Sequence, residues 1–598
     1  MVRLIDAAVE FWKLNELKLI MHTPLFSTIS TLFAIYSSML VPLLDIEYNE
    51  SLLQKVVLFS VYWAFALPFK SELREALENY LRERFNDLFP SFSMEMALIN
   101  TALEDWIQTE ESFSNGIYLT KEMQVIKEIM CRLVQANHSI LICGYNGVGK
   151  ISTFKSVLQT IDDLDMVIVN LSKDSTIRSL LNVIDDHCVY QKTTTSLQIV
   201  PKKPNTSLVF LLDHINLPAV DKYNTHQVSG FIRQILDSNG FWHPWKREWV
   251  VLSRVSFVSA SCPSILTGRV ELSPRLLRHC AVIAIEHPSY ESTFEMVKQK
   301  LPDISESIVQ KIVEFYFKFR MTFKGVVDAS YFVSLDDLQR LTSSFEHHSM
   351  QSNEDDFLRA ELQRVFTDRL HSDGERKSIE MDEDLFISTL NSPMYASYNH
   401  ESYHENTLKV IKQVEEDFGY QEFIPFKGSM GVLAKLEHTI AQPGGKIVVV
   451  GESGTGKSFC SRYIAAALQL QFYQLYPYTS YNLKNFENDL KNVVNAATKN
   501  PVCFFVRETD LHQSEFVELL NTFIINPILP TLFTANEIDS LLSIAIDQAV
   551  VDGIALATEE DKMDYLFALI NNNVRFVFSA NSSQFYIEDQ FIHLPSLF

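Results

Sequence analysis

The chain has 598 residues, room for several domains at about 100–200 residues each, and 47% of them are hydrophobic, so large buried cores are within reach. Acidic residues outnumber basic ones 74 to 51, and the formal charge of −23 excludes a general binder of nucleic acid or anionic membrane. Cys131, Cys143, Cys188, Cys262, Cys280, Cys460 and Cys503 are scattered, with no CxxC pair and no Cys/His cluster. That pattern excludes a disulfide frame and a zinc site and points to reduced, intracellular thiols.

Residues 1–90 read as helical, with few glycines and no basic-then-apolar start of a signal peptide. Pro24–Leu44 is long enough to suggest a membrane span, but it carries several Ser and Thr and Pro42. Val56–Phe69 is too short to cross. The two are therefore expected to form a buried helical pair without membrane insertion. Ser71–Asn86 is charged at helical spacing. Strands are predicted at Ser139–Cys143, Met166–Asn170, Ser207–Asp213, Val255–Ala260 and Cys280–Ile285. Short apolar strands alternating with helices predict a parallel sheet covered on both faces. From about 301 to 420 the chain turns helical and charged, including Glu354–Arg369. The alternation then returns, with strands predicted at Lys446–Val450, Val502–Val506 and Val574–Phe578.

Two glycine-rich loops follow predicted strands, and their first glycines, Gly144 and Gly451, stand 307 residues apart. That period is too long for a solenoid and suits two copies of a large α/β domain with a helical lid. The second loop runs Gly451-Glu-Ser-Gly454-Thr-Gly456-Lys457-Ser458 and satisfies G-x-x-x-x-G-K-[ST] in full. Its glycines let backbone N–H groups curl toward phosphate oxygens, and the following helix offers its positive end. Lys457 is placed to reach the β- and γ-phosphates of ATP or ADP, and Ser458 to supply a hydroxyl to Mg²⁺. The first loop, Gly144-Tyr-Asn-Gly147-Val-Gly149-Lys150-Ile151, matches except at its last position. Ile151 cannot ligate Mg²⁺, and Ser152 points about 100° further round the helix.

Beyond the first loop, Leu211–Trp242 (LLDHINLPAVDKYNTHQVSGFIRQILDSNGFW) resembles the Walker B strand and following segment of the third AAA+ module of dynein heavy chains. Asp213, Ile215, Asn216, Leu217, Pro218, Asp221, Lys222 and Tyr223 match that family's run, and Gly268–His279 (GRVELSPRLLRH) resembles a later one. The second copy, with FENDLKNVV, EFVELLNTFI and FVFSANSS in order, is similar to the fourth module, in a style nearer the cytoplasmic than the axonemal heavy chains. The resemblance implies a tandem of α/β AAA+ P-loop modules. Residues 1–90 would be the helical end of a preceding module and 91–300 a large domain. Residues 301–420 would be lid and linker, and 421–598 a second large domain whose lid is not in the chain. It further implies a part of a ring that drives minus-end-directed movement on microtubules, with nucleotide-binding regulatory modules. The other modules of the heavy chain, dynein subunits and microtubules would be its partners, in the cytoplasm. On this reading the chain is a piece of something longer.

The resemblance also marks departures. The first copy keeps Lys150 and Asp213 but has His214 where the family has a base-like Glu, Cys262 at the polar sensor position and Asp336 where an Arg is expected. Hydrolysis is expected to be lost there, leaving a weak nucleotide binder through Gly144, Gly147, Gly149, Lys150 and Asp213 at best, or a structural wedge. The second copy keeps Lys457, Ser458, Glu508 and the sensor candidate Asn581, but Arg507 stands where the family has Asp. A cation at the Mg²⁺ position costs about 4 kcal/mol per unit-charge pair at an effective dielectric of 20. Alternatively, Arg507 pairs with Glu508 or a phosphate, or turns to solvent. Arg275 and Arg278 are candidates for a finger reaching a neighbouring module's nucleotide, or cap a surface helix. Three functions compete: a motor-ring segment, an inactive AAA+ scaffold retained for assembly, and an independent remodelling ATPase. The absence of a second lid and finger argues against the last.

Overall fold

The computed structural model describes residues 2–41, 50–100, 105–114, 117–161, 163–193, 196–266, 268–302, 304–323, 331–346, 354–370, 374–375, 379, 401–419, 423–424, 426–478, 481–528, 532–556, 558–581 and 593–595. They divide into two compact units. The first holds Met1–Gln299 with Ser334–Asp336, and the second holds Lys300–Val333 with Asp337–Phe598.

The first unit is built on five parallel strands: β1 (Ser139–Cys143), β2 (Leu164–Asn170), β3 (Ser207–Asp213), β4 (Val255–Ser261) and β5 (Cys280–Ala284). Their order is β5-β1-β4-β3-β2. Buried on both faces, β1, β3 and β5 read as nearly unbroken apolar runs, which is why the sequence betrays them. The register sets Cys143 beside Ser261 and Ala284, and Asp213 beside Asn170, so the carboxyl ends of the strands line up at one edge.

Four helices precede the sheet: Val2–Asn15, Leu25–Leu40, Glu50–Ala66 and Ser71–Phe85. Leu25–Leu40 and Glu50–Ala66 pack on each other, as the apolar runs predicted, while Pro42–Leu44 lie outside the described residues. No helix among the described residues is long and apolar enough to cross a membrane. The helices close the exposed edge of β5. Ser27 Oγ donates to Cys280 O at 2.5 Å, and Ala284 N–H donates to Leu67 O at 2.8 Å. The buried Arg74 guanidinium reaches Ala284 O at 2.5 Å. An edge that would otherwise offer unpaired backbone groups is thereby satisfied.

A second sheet of this unit escaped the sequence reading. Gly240–Trp242, Trp249–Leu252, Leu197–Pro201 and Cys188–Lys192 pair in that order, two antiparallel pairs joined by a parallel one. These strands have 3–5 residues, too short for length to announce them, and Cys188–Lys192 is largely exposed.

The second unit carries β6 (Lys446–Val450), β7 (Gln471–Gln474), β8 (Val502–Arg507) and β9 (Val574–Ala580), all parallel, in the order β6-β9-β8-β7. The charged stretch Glu354–Arg369, expected to be helical, is an α-helix over Glu354–Leu362 that widens to a π-helix at Gln363–Thr367. The widening coincides with a buried ion cluster. Fully buried Glu361 accepts from Arg364 at 2.6 and 3.1 Å and lies 3.3 Å from His438 Nε2. Burial pushes the Glu361 carboxyl up, but His438 and Arg364 outweigh it and hold the group at about 2. Asp368 pairs with Lys435 at 2.6 Å, so Glu354–Leu362 and its π continuation are tied at two points to the helix Lys427–Ala441.

Candidate nucleotide sites

In the first unit the loop leaves β1 beside the end of β4, because Gly144 N–H donates to Ser261 O at 3.1 Å. That contact brings Cys262 to the loop. Gly147 and Gly149 have φ of +64° and +86°, a backbone that L side chains rarely adopt. The helix Lys150–Leu158 starts immediately after Gly149. Lys150 is buried, and its ammonium donates to Gly144 O at 2.9 Å and Tyr145 O at 2.8 Å, with Cys262 Sγ at 3.5 Å. Ile151 packs into the unit's apolar core.

Around this lysine stands a polar cluster in which His214, Cys262 and Arg269 join the Walker B acid Asp213. Asp213 ends β3 and accepts the His214 N–H at 2.8 Å. His214 sits at φ +58°, and its Nδ1 lies 3.1 Å from the Arg269 guanidinium, which can only donate. Nε2 is then the N–H, 3.7 Å from Asp213 Oδ2. Cys262 Sγ donates to Asn146 Oδ1 at 2.7 Å. Burial pushes the Cys262 thiol up, but the Lys150 ammonium, a hydrogen bond from His214 and the Arg269 charge outweigh it and hold it at about 6.

The other thiols go the opposite way. Burial raises Cys131, Cys143 and Cys460 to about 11 and Cys188, Cys280 and Cys503 to about 12. Thiolate absorbance of the whole chain should show one ionisation near pH 6 that Cys262→Ser removes, and none of the other six below the ordinary thiol value of 9.0. Because the Cys262 value is depressed, its contribution to stability is complete above pH 9 and is lost as pH falls through 6.

The second loop has a different environment. Gly451 N–H donates to Ala580 O at 3.3 Å, which places Asn581 beside the loop. Lys457 Nζ donates to Gly451 O at 2.6 Å and Glu452 O at 2.7 Å. Gly454 and Gly456 have φ of +86° and +84°, and a Cβ built on either would meet nothing within 4 Å. Ser458 is the second residue of the helix Lys457–Ala467. Asn581 N–H donates to Glu508 Oε2 at 3.0 Å, so the two candidates, 73 residues apart, meet next to the loop. Ser582 and Ser583 of the FVFSANSS run lie outside the described residues.

Arg507 neither pairs with Glu508 nor stands alone in solvent, as the sequence reading allowed. Its partner is the buried Asp510, reached from Nε at 3.1 Å and from the terminal NH₂ at 2.9 Å. The turn Glu508–Asp510 explains the pairing, since Asp510 also accepts the Arg507 N–H at 3.0 Å. The charge conflict is thus largely neutralised within the turn. Arg275 and Arg278 are exposed at the short helix Pro274–Leu277, and Arg278 is held by Asp237 at 2.7 Å. Asp510, Arg269 and Asn146 were missed. Asp510 had a local signal, an acid three residues after an unexpected Arg, whereas Arg269 and Asn146 acquire their partners only in the fold.

The second loop fits a nucleotide: Gly454 and Gly456 leave space, and Lys457 donates to loop carbonyls that phosphate oxygens would replace. For Mg²⁺ the set is thinner, the Ser458 hydroxyl with the Glu508 carboxylate nearby. Strand order, two P-loops and the sensor-position residues beside them define a tandem of AAA+ P-loop modules. Three family models match the chain. "Dynein heavy chain AAA lid domain" covers residues 1–113, "P-loop containing dynein motor region" covers 106–288, and "P-loop containing dynein motor region D4" covers 422–598. Cytoplasmic dynein heavy chains of Paramecium tetraurelia and Drosophila melanogaster are each 26% identical, over 93% and 92% of this chain. That of Dictyostelium discoideum is 26% identical over 79%. The chain belongs to the dynein heavy chain family and spans 11–13% of the length of these relatives.

Proposed function

We propose that this chain is a regulatory stretch of a dynein motor ring, in which the second module senses ATP or ADP and the first relays conformation without nucleotide. The observation that carries this reading is the contrast between the two loops. The Lys150 ammonium is buried beside Cys262, while Lys457 rests on two loop carbonyls in an open cradle. Residues 1–90 then serve as the helical end of the preceding module, 91–300 and 421–598 as large domains, and 301–420 as lid and linker. Glu508 and Asn581 form the hydrolytic pair of the second site, and Asp213 is a relic of the first. Arg275 and Arg278 are the residues that would meet a neighbouring module's nucleotide. Family membership supports ATP-driven, minus-end-directed movement on microtubules for the whole heavy chain, with its other modules and dynein subunits as partners in the cytoplasm.

Calorimetric titration of the chain with ATP and ADP, with and without Mg²⁺, tests the reading. One saturable site is expected; two equal sites would overturn it. No binding at all would favour an inactive AAA+ scaffold retained for assembly, a reading to which the Arg507–Asp510 pair lends weight. Arg507 predicts a second result. With a cation in place of the metal-binding acid, binding should depend little on Mg²⁺, and Arg507→Asp should make it about tenfold tighter when Mg²⁺ is present, the order of one charge-assisted contact. An equal gain without Mg²⁺ would show that Arg507 acts on the nucleotide rather than on the metal.

A further inference from the structure

Position by position, Gly147 of the first loop corresponds to Gly454 of the second. A Cβ at Gly454 would meet nothing within 4 Å, whereas one at Gly147 would strike Ser334 and stand 3.1 Å from Asp336 Oδ2. The segment Ser334–Asp336 groups with the first unit, although the rest of its helix, Leu335–Glu346, does not. Leu335 N–H donates to Gly147 O at 3.2 Å. Thus backbone of the lid helix's first turn is bonded to the loop, a serine fills the space beside its glycine, and an exposed acid stands at its mouth.

We infer that Ser334–Asp336 is a built-in latch that closes the first phosphate loop and makes that module's closed state independent of nucleotide. This rests on the reading of the first module as a relay and supplies its device. In a P-loop module the lid ordinarily has a nucleotide to close upon. Here the chain supplies the contact itself, and only glycine at position 147 leaves room for it. The Asp336 charge adds discrimination at the mouth, since an acid there disfavours an approaching phosphate, to a degree that solvent screens. With Lys150 engaged by loop carbonyls and Cys262, Ser334–Asp336 and the loop form a contact that a nucleotide has no part in forming.

The Leu335 amide makes the latch measurable. The first amides of a helix have no acceptor within their own helix, so protection of Leu335 reports the bond to Gly147. Hydrogen exchange of the whole chain, resolved to that amide, should show it about tenfold slower than an unbonded helix-start amide, with and without saturating ADP. Gly147→Ala should return it to the unprotected rate. An unprotected Leu335 in the parent chain, or protection that appears only when ADP is added, would overturn the latch even if Gly147→Ala fails to fold. ADP titration of the same preparation reports the second module separately, so a failed latch and a failed nucleotide site are distinguishable.

Discussion

Replacing Lys457 by alanine is expected to weaken ATP or ADP binding to this chain by one to two orders of magnitude. The ammonium is the cation that the second loop supplies, and its present acceptors, Gly451 O and Glu452 O, are neutral carbonyls. Phosphate oxygens would replace them with charged acceptors, and hydrogen bonds to charged groups are worth about 1.5–3 kcal/mol each. Lys457 is partly exposed, so its removal leaves no buried charge behind, and the fold should survive. Calorimetry reads the affinity, and circular dichroism checks the fold. The companion substitution Lys150→Ala should do the reverse. Lys150 is buried against Cys262 and two carbonyls, so its loss should destabilise the first unit and leave nucleotide affinity unchanged. Equal loss of binding in the two variants would contradict the division of labour between the loops.

The largest stability effect is expected at Arg74. Its guanidinium is buried and donates to Ala66 O at 3.3 Å, Leu67 O at 3.4 Å and Ala284 O at 2.5 Å, with Glu95 at 3.9 Å. Arg74→Ala strips donors from three backbone carbonyls and a counter-charge from a buried acid, a loss of about 3–5 kcal/mol. Arg74→Lys should recover only part, because a point charge cannot serve three acceptors set around a planar fork. The loss should also depend on pH. Burial raises the Glu95 carboxyl to about 7 despite Arg74. A raised acid contributes stability below its ordinary value of 4.5 and loses it as pH climbs through 7. The penalty of Arg74→Ala should therefore be larger at about pH 8 than at about pH 5, since an ionised Glu95 then lacks its partner. All six tryptophans lie in the first unit, so their fluorescence during urea denaturation follows that unit alone. A loss below about 1 kcal/mol, the net worth of one ordinary hydrogen bond, would mean that water reaches these carbonyls.

The two loops and the strands beneath them were legible because their signals are local. Ser207–Asp213 and Lys446–Val450 are strands over the very residues that the apolar runs marked, and Ser207–Asp213 is apolar because it is buried on both faces. The loops were legible because few sequences let a backbone curl around phosphate and start a helix at once. The departures at Ile151, His214, Cys262, Asp336 and Arg507 were legible too, each as a residue whose chemistry does not suit its expected post.

What those departures do instead belonged to the tertiary structure. A hydrogen bond is formed with whatever the fold brings within about 3 Å, and sequence separation carries no information about that. Cys262 meets Lys150 from 112 residues away, Ser334 sits against Gly147 although the two are remote in sequence, and Arg74 satisfies Ala284 at the edge of β5. The short strands Cys188–Lys192 and Leu197–Pro201 exist because each has the other to pair with, not because their own residues demand it. The sequence by itself thus determined that the chain holds two phosphate loops in tandem on parallel sheets, through local backbone and side-chain requirements. Only the fold decided that the first lysine is buried in a polar cluster while the second rests in an open cradle, because burial and partners are properties of packed surfaces.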